Sequence, residues 1–221
     1  MSTIVIAGME VEARIARRAG LQAVVAGGSP ERRMAIVERA TRDGATGLIS
    51  FGIAGGLDPK LSSGAVILPE KVHAGMDQEY VVDAAWRHRL LAHIPHAVSG
   101  TIFGAAVAVA RVIEKKSLFD RTGAVAVDLE SAIVAQVAER AAIPFVVLRT
   151  IADSAHRELP HAALIALNGA GKVAFGAVLG FIARKPGQVP ALMRLAIETR
   201  RALNAMDAFS QPVHAFHAAP A

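Results

Sequence analysis

The sequence contains no cysteine. Disulfides and thiolate metal sites are therefore excluded, and a reducing compartment is compatible. Charge is also scarce, at 19% of residues against 53% apolar, so the chain can bury a substantial core and is not disordered. Long apolar runs are missing. The longest, VAFGAVLGFIA over residues 173–183, is too short to span a bilayer. The opening MSTIVIAGMEVE is apolar for only a few residues and then acidic, without the basic start and longer apolar stretch of a secretion signal. The expectation is a cytoplasmic protein, with contact at the inner membrane face left open. No internal repeat is visible, and no composition shift marks a domain boundary.

Two glycine signatures are absent as well. A dinucleotide-dependent oxidoreductase would carry a glycine fingerprint after the first strand, yet AGMEVEA offers only Gly8 in that turn. The glycine-rich GIAGG (52–56) is not G-x-G-x-x-G and lacks the GK[ST] of a phosphate loop, so by itself it is only a tight turn. A non-catalytic nucleoside-binding or membrane-associated module is the remaining alternative class.

What is present is an alternation. STIVIAG, LQAVVAGG, GLISFGIAGG, GAVILPEKV, AVSGTIF, GAVAVD and PFVVLRTIADSA read as strands. EVEARIARRAG, SPERRMAIVERATRDG, VDAAWRHRLLAHI and ESAIVAQVAERAAI read as helices, and the chain from about 161 onward reads as helical. Buried strands alternating with amphipathic helices predict an α/β fold, a three-layer α/β/α arrangement around a central mixed sheet. The expected organisation is a single domain over residues 1–207, with 184–207 as a basic helical extension and 208–221 as a loose tail. The net charge is +5, and the 24 basic residues are mostly arginine, whose planar fork suits phosphate and carboxylate.

Acids stand where strands give way to loops or helices: Glu12, Glu130 and Asp153. Ligands of open α/β sheets bind beyond the carboxyl ends of the strands, so these acids are expected to share one cleft with GIAGG. Each also has a plain structural reading. Glu12 and Glu130 suit helix N-termini, and Asp153 suits a cap or turn. Asp128 precedes Glu130 by two positions, which in an extended segment puts both on one face, but a helix starting at about 129 separates them, and Asp153 is then the expected partner of Glu130.

In combination the motifs are more specific. AGMEVEA (7–13), SFGIAGGLDPKLSSGAVILPE (50–70) and AVDLESAIVAQVAERAAIPFVVLRTIADSA (126–155) follow the order seen in nucleoside phosphorylases and nucleosidases, which the chain resembles over roughly residues 4–180. EARIARRAG (12–20), LRTIADSAHRELPHAAL (148–164) and RKPGQVPALMRLA (184–196) resemble the hopanoid-biosynthesis-associated branch. The resemblance implies cleavage of the ribosyl–adenine bond of adenosylhopane, an adenine nucleoside with a bulky apolar 5′ group, with a methylthioadenosine/S-adenosylhomocysteine-type nucleosidase as the alternative. It implies no cofactor, inorganic phosphate as the candidate co-substrate, no nucleic-acid partner, and a homo-oligomer.

By resemblance, Asp153 serves the purine as general acid or donor, Glu130 holds the ribose hydroxyls, and Glu12 activates water. Leu129, Phe103, Ile53, Ala54 and Gly55 are the remaining implied substrate contacts, Phe103 by stacking on the base. Four positions depart from the family pattern. Ile53 and Ala152 stand where serines are usual, and Asp128 with Leu129 stand where glutamate and methionine are usual. The loss of the hydroxyl at Ala152 removes a partner that could orient Asp153, and Asp128 is assigned no catalytic role. The chain is also short for the family over 20–45 and 71–99, which would leave room for a large 5′ group.

The nucleophile is ambiguous. Glu12 speaks for water. AGGSPERR (26–33) speaks for phosphate, because Gly28, Ser29, Arg32 and Arg33 sit at a helix N-terminus; with the branch resemblance, this tips the expectation toward phosphorolysis. Without a ligand, the same segment is a well-capped surface helix. Arg184, Lys185, Arg194, Arg200 and Arg201, set among Leu192, Leu195 and Ile197, make a basic amphipathic segment that would suit an anionic membrane or simply a wet helix face. HAFH (214–217) has metal-compatible spacing but no third ligand nearby, so no metal site is expected.

Overall fold

Runs of β-branched and aliphatic residues form the centre of the molecule. In the computed structural model, which describes residues 2–160, 187, 189–209 and 216, β1 (Ser2–Ala7), β3 (Ala45–Gly56) and β9 (Phe145–Asp153) lie side by side. All nine residues of β9 are buried, as expected of a strand covered on both faces. β1 pairs in parallel with β2 (Gln22–Val25) and β3, and β3 pairs in parallel with β9. At its far end β3 leaves the parallel arrangement: Gly55 and Gly56 pair antiparallel with β8 (Ala126–Asp128). From β8 the sheet continues through β7 (Thr101–Gly104) and β5 (Lys71–Ala74) to β6 (Glu79–Val81), while β4 (Val66–Ile67) pairs with β9.

Helices close both faces. α2 (Pro30–Arg42) and α5 (Ser131–Arg140) cover one, where Val37, Val134 and Ala135 pack with Ile6, Leu48, Val147 and Ile151. α1 (Glu10–Arg18), α3 (Ala84–His93) and α6 (Val189–Phe209) cover the other, where Ile15, Trp86, Leu90 and Met206 pack with Val5, Ile49, Phe51 and Leu148. This is the expected three-layer α/β/α fold around a mixed sheet, with the α/β layering that the alternation predicts. The helix ends follow local chemistry. Ser29 accepts from Arg32 N–H (3.3 Å) with Pro30 behind it, and Asp83 Oδ1 accepts from Trp86 N–H (2.6 Å).

The structure departs from the sequence reading at several points. GIAGG is strand, not loop, because β8 and β9 supply partners for its backbone through Gly56. GAVILPEKV is two strands, β4 and β5, divided at Pro69, which has no N–H to donate to a ladder. A helix to which no element had been assigned, α4 (Val112–Thr122), ends on the left-handed Gly123 and buries Lys115. Phe216, in the tail expected to be loose, is buried in the α1/α3/α6 cluster. The helical reading of 161–183 and the HAFH histidines lie outside the described residues.

One irregularity matters for function. Ile151 pairs with Ala54, and the next pair is Asp153 with Gly55, so Ala152 is an extra residue in β9. Such a bulge inverts the pleat phase, turning Asp153 away from the face that carries Arg149 and Ile151.

Candidate active site

The carboxyl ends of β1, β3, β8 and β9 converge, and the charged residues there sort into two groups. The first is built on Arg149. This guanidinium is 1% exposed inside an apolar strand, and its Nη2 lies 2.6 Å from Asp128 Oδ2, 3.2 Å from Glu130 Oε2 and 2.6 Å from Ser50 Oγ. Asp128 also accepts from the Ser131 hydroxyl and from Ser131 N–H (3.2 Å), which ties the start of α5 to the end of β8; Ser50 and Ser131 Oγ are 3.0 Å apart. Asp128 and Glu130 therefore reach one place, where the sequence reading separates them, because they converge on a cation that it missed. The available signal was a lone arginine in an otherwise apolar strand, where a buried charge demands partners.

Glu12 joins the same group from α1. Its Oε2 accepts from Met9 N–H (2.8 Å), closing the first turn of the helix, and its Oε1 accepts from Ile53 N–H (2.9 Å) in β3. Close approach of these groups explains two glycines. A Cβ at Gly52 would stand 2.6 Å from Arg149 Nη1 and 2.7 Å from Glu12 Oε1, and one at Gly8 would stand 2.7 Å from Glu130 Oε1. Arg149, with the buried Arg33 also acting on Glu130, does not offset the cost of burying Glu12 and Glu130. Burial, opposed by Arg149 and reinforced by Glu130, pushes Glu12 up to about 7. Burial likewise raises Glu130, against the pull of Arg149.

The second group is built on Asp153, on the other side of the bulge. Burial raises this carboxyl, while the adjacent Lys115 ammonium lowers it. Lys115 Nζ donates to Asp153 Oδ2, to Ser154 O (3.0 Å) and to Arg157 O (2.9 Å). Asp153 is thus paired with Lys115, and Glu130 with Arg149; the two acids are not each other's partner. Asp153, Gly55, Val127 and Phe103 form one row across β9, β3, β8 and β7. Phe103 is half-buried and packs with Leu57 and Val127.

The remaining candidates are less uniform. Ile53 borders the site through its backbone, its oxygen 3.4 Å from Arg149 Nη1, whereas Ala54 is buried in the α2/α5 core. Leu129 offers its carbonyl to Arg33 Nη1 (2.7 Å). Arg33 Nε donates to Gly28 O (3.0 Å), and the exposed Arg32 donates from Nε to Gly27 O (3.2 Å), so both guanidinium groups hold the loop's own carbonyls. Ser29 is the helix cap.

A family model, the Phosphorylase superfamily, matches residues 22–182. The chain belongs to the phosphorylase superfamily. Solved structures with the same fold include S-adenosylhomocysteine nucleosidase from Streptococcus pyogenes in complex with 5-methylthiotubericidin (18% identity, 96% of this chain and 98% of that one, TM-score 0.65). They also include the methylthioadenosine/S-adenosylhomocysteine nucleosidases of Neisseria meningitidis with methylthio-immucillin-A (19%, 95% and 99%, TM-score 0.62) and Colwellia psychrerythraea 34H with adenine (19%, 83% and 95%, TM-score 0.66). No curated protein matches the chain in sequence. As a member of the phosphorylase superfamily, the chain is an N-glycosyl-bond-cleaving enzyme, and its buried acids at the strand ends are chemically suited to that work.

Replacing Arg149 with methionine leaves Asp128 and Glu130 without their buried cation. A stability loss of about 3–5 kcal/mol is expected, read as a lowered urea midpoint. Glu12 has a second consequence. Its carboxyl lies near 4.5 in the unfolded chain and about 7 in the folded one, so the native state holds the extra proton between these values. Its contribution is full below 4.5 and is lost as pH rises through about 7. Urea unfolding of wild type and Glu12→Gln across this window should show that falling component in wild type and not in the variant.

Proposed function

We propose that this enzyme hydrolyses the ribosyl–adenine bond of an adenine nucleoside with a bulky apolar 5′ group, adenosylhopane being the member of that class implied by the sequence resemblance. The observation that carries the reading is the pair of buried carboxylates, Glu130 on Arg149 beside Gly8 and Glu12 on the Ile53 N–H beside Gly52. Departure of adenine leaves oxocarbenium character on the ribose and electron density on the purine. Glu130 accepts from the ribose hydroxyls and lends negative charge to the cationic carbon. Glu12, with its pKa moved to about 7, takes the proton of an attacking water. Asp153 in its acid form gives a proton to purine N7.

Water is favoured over the phosphate that the sequence suggested. Arg32 and Arg33 are engaged with backbone carbonyls, and the carboxylates of Glu12 and Glu130 would repel a phosphate dianion. The 5′ reading is supported by the branch-like segments and by the shortened connections at 20–45 and 71–99. It is also supported by α6, where Met193 and Ile197 are 63% and 53% exposed beside the exposed Arg194, Arg200 and Arg201. This helix would rest peripherally on an anionic membrane that holds an apolar nucleoside.

Adenine release from adenosylhopane should be equal with and without phosphate, should rise as pH passes through about 7, and should fall at least 100-fold in Glu130→Gln. An absolute phosphate requirement would overturn the hydrolytic reading. Co-sedimentation with phosphatidylglycerol vesicles should weaken in the double variant M193S/I197S. Unchanged sedimentation removes the membrane role from α6.

A further inference from the structure

α4 raises a question that its amphipathic pattern does not answer: the residue it buries completely is a lysine. An ammonium in that position is stable only if all its protons are bonded. Lys115 satisfies the condition with one carboxylate and two carbonyls, and every acceptor belongs to the segment that starts at Asp153. The segment is also tied to the residue just before the α4 cap, where Leu159 N–H donates to Ala110 O (2.9 Å). Lys115 engages Asp153 through Oδ2 only. On the other flank of Asp153 stands Ala152, the bulged residue, which has no hydroxyl to offer.

We infer that Lys115 is the positioning residue of the purine-side acid: it anchors Asp153 through one oxygen so that the other can serve the leaving base. The inference rests on the proposed cleavage of an adenine nucleoside and deepens it. As the C1′–N9 bond breaks, its electron pair passes to the purine and the Asp153 proton moves to N7. Water oxygen bonds to C1′, and the water proton passes to Glu12. The carboxylate left at Asp153 is then held in an ion pair with the Lys115 ammonium, which favours the transfer. α4 thus supplies from another part of the fold the orienting contact that a neighbouring serine hydroxyl would otherwise make.

This role can be separated from a merely structural one by the leaving group. Adenine needs a proton to depart, whereas 4-nitrophenolate does not. Wild type, Lys115→Met, Asp153→Asn and the double variant are compared on an adenine nucleoside and on 4-nitrophenyl riboside. Lys115→Met should lower kcat for adenine release about 100-fold and change nitrophenolate release less than about threefold. Because Lys115 acts through Asp153, the double variant should be no slower than Asp153→Asn alone. Equal losses on both substrates, no loss on either, or multiplying losses in the double variant would overturn the role of Lys115. Failure of the wild-type enzyme to release adenine would overturn the parent reading instead, whatever the variants do.

Discussion

A single guanidinium sets the arrangement of this site. Arg149 lies in the middle of a strand buried on both faces, where an unpaired charge would be prohibitively costly, so acceptors must be brought to it from the surrounding elements. Asp128 and Glu130 arrive from the end of β8, Ser50 from β3, and Glu12 from the first turn of α1. The glycines at 8 and 52 are what allow these groups to approach so closely. The cost of burying Arg149 is offset by order: four elements are held in register around one cation, and the buried carboxylates of Glu12, Asp128 and Glu130 are held with them. Burial, reinforced by Glu130 and opposed by Arg149, leaves Glu12 with a pKa near neutrality, where a carboxylate can exchange a proton with water.

The second constraint is the bulge at Ala152. Without it, Asp153 would share the pleat phase of Arg149 and would enter the same crowded charge cluster. With it, Asp153 is rotated to the other side and finds Lys115. Asp153 and Glu130 thereby acquire different cations and different environments. Such separation is the general means by which neighbouring carboxyls are given different proton affinities.

Much of this was legible in advance. The strand and helix periods and the cap at Ser29 are local signals, and the layered architecture follows from their alternation. The three acids were also readable, because each stands at a change of period from strand to loop or helix. Arg149 and Lys115 were not recognised. Both are basic residues that sit where local pattern expects apolar ones, one in a buried strand and one on the inward face of a helix. Their partners lie far away in sequence: Arg149 with Ser50 and Lys115 with Asp153. The arginines of AGGSPERR erred in the other direction. In sequence they look like an anion site, and in the fold their guanidinium groups are bonded to the carbonyls of their own loop and of Leu129.

The amino-acid order alone therefore determined the class of fold, the family resemblance and the candidate acids, because periodicity, capping and motif spacing are short-range properties of the chain. Only the tertiary structure decided which acid pairs with which base, that GIAGG is strand, and that Asp153 faces away from Arg149. Those outcomes depend on strand register, on one extra residue in a ladder, and on the demand of buried charges for partners. None of these is expressed until distant segments are packed together.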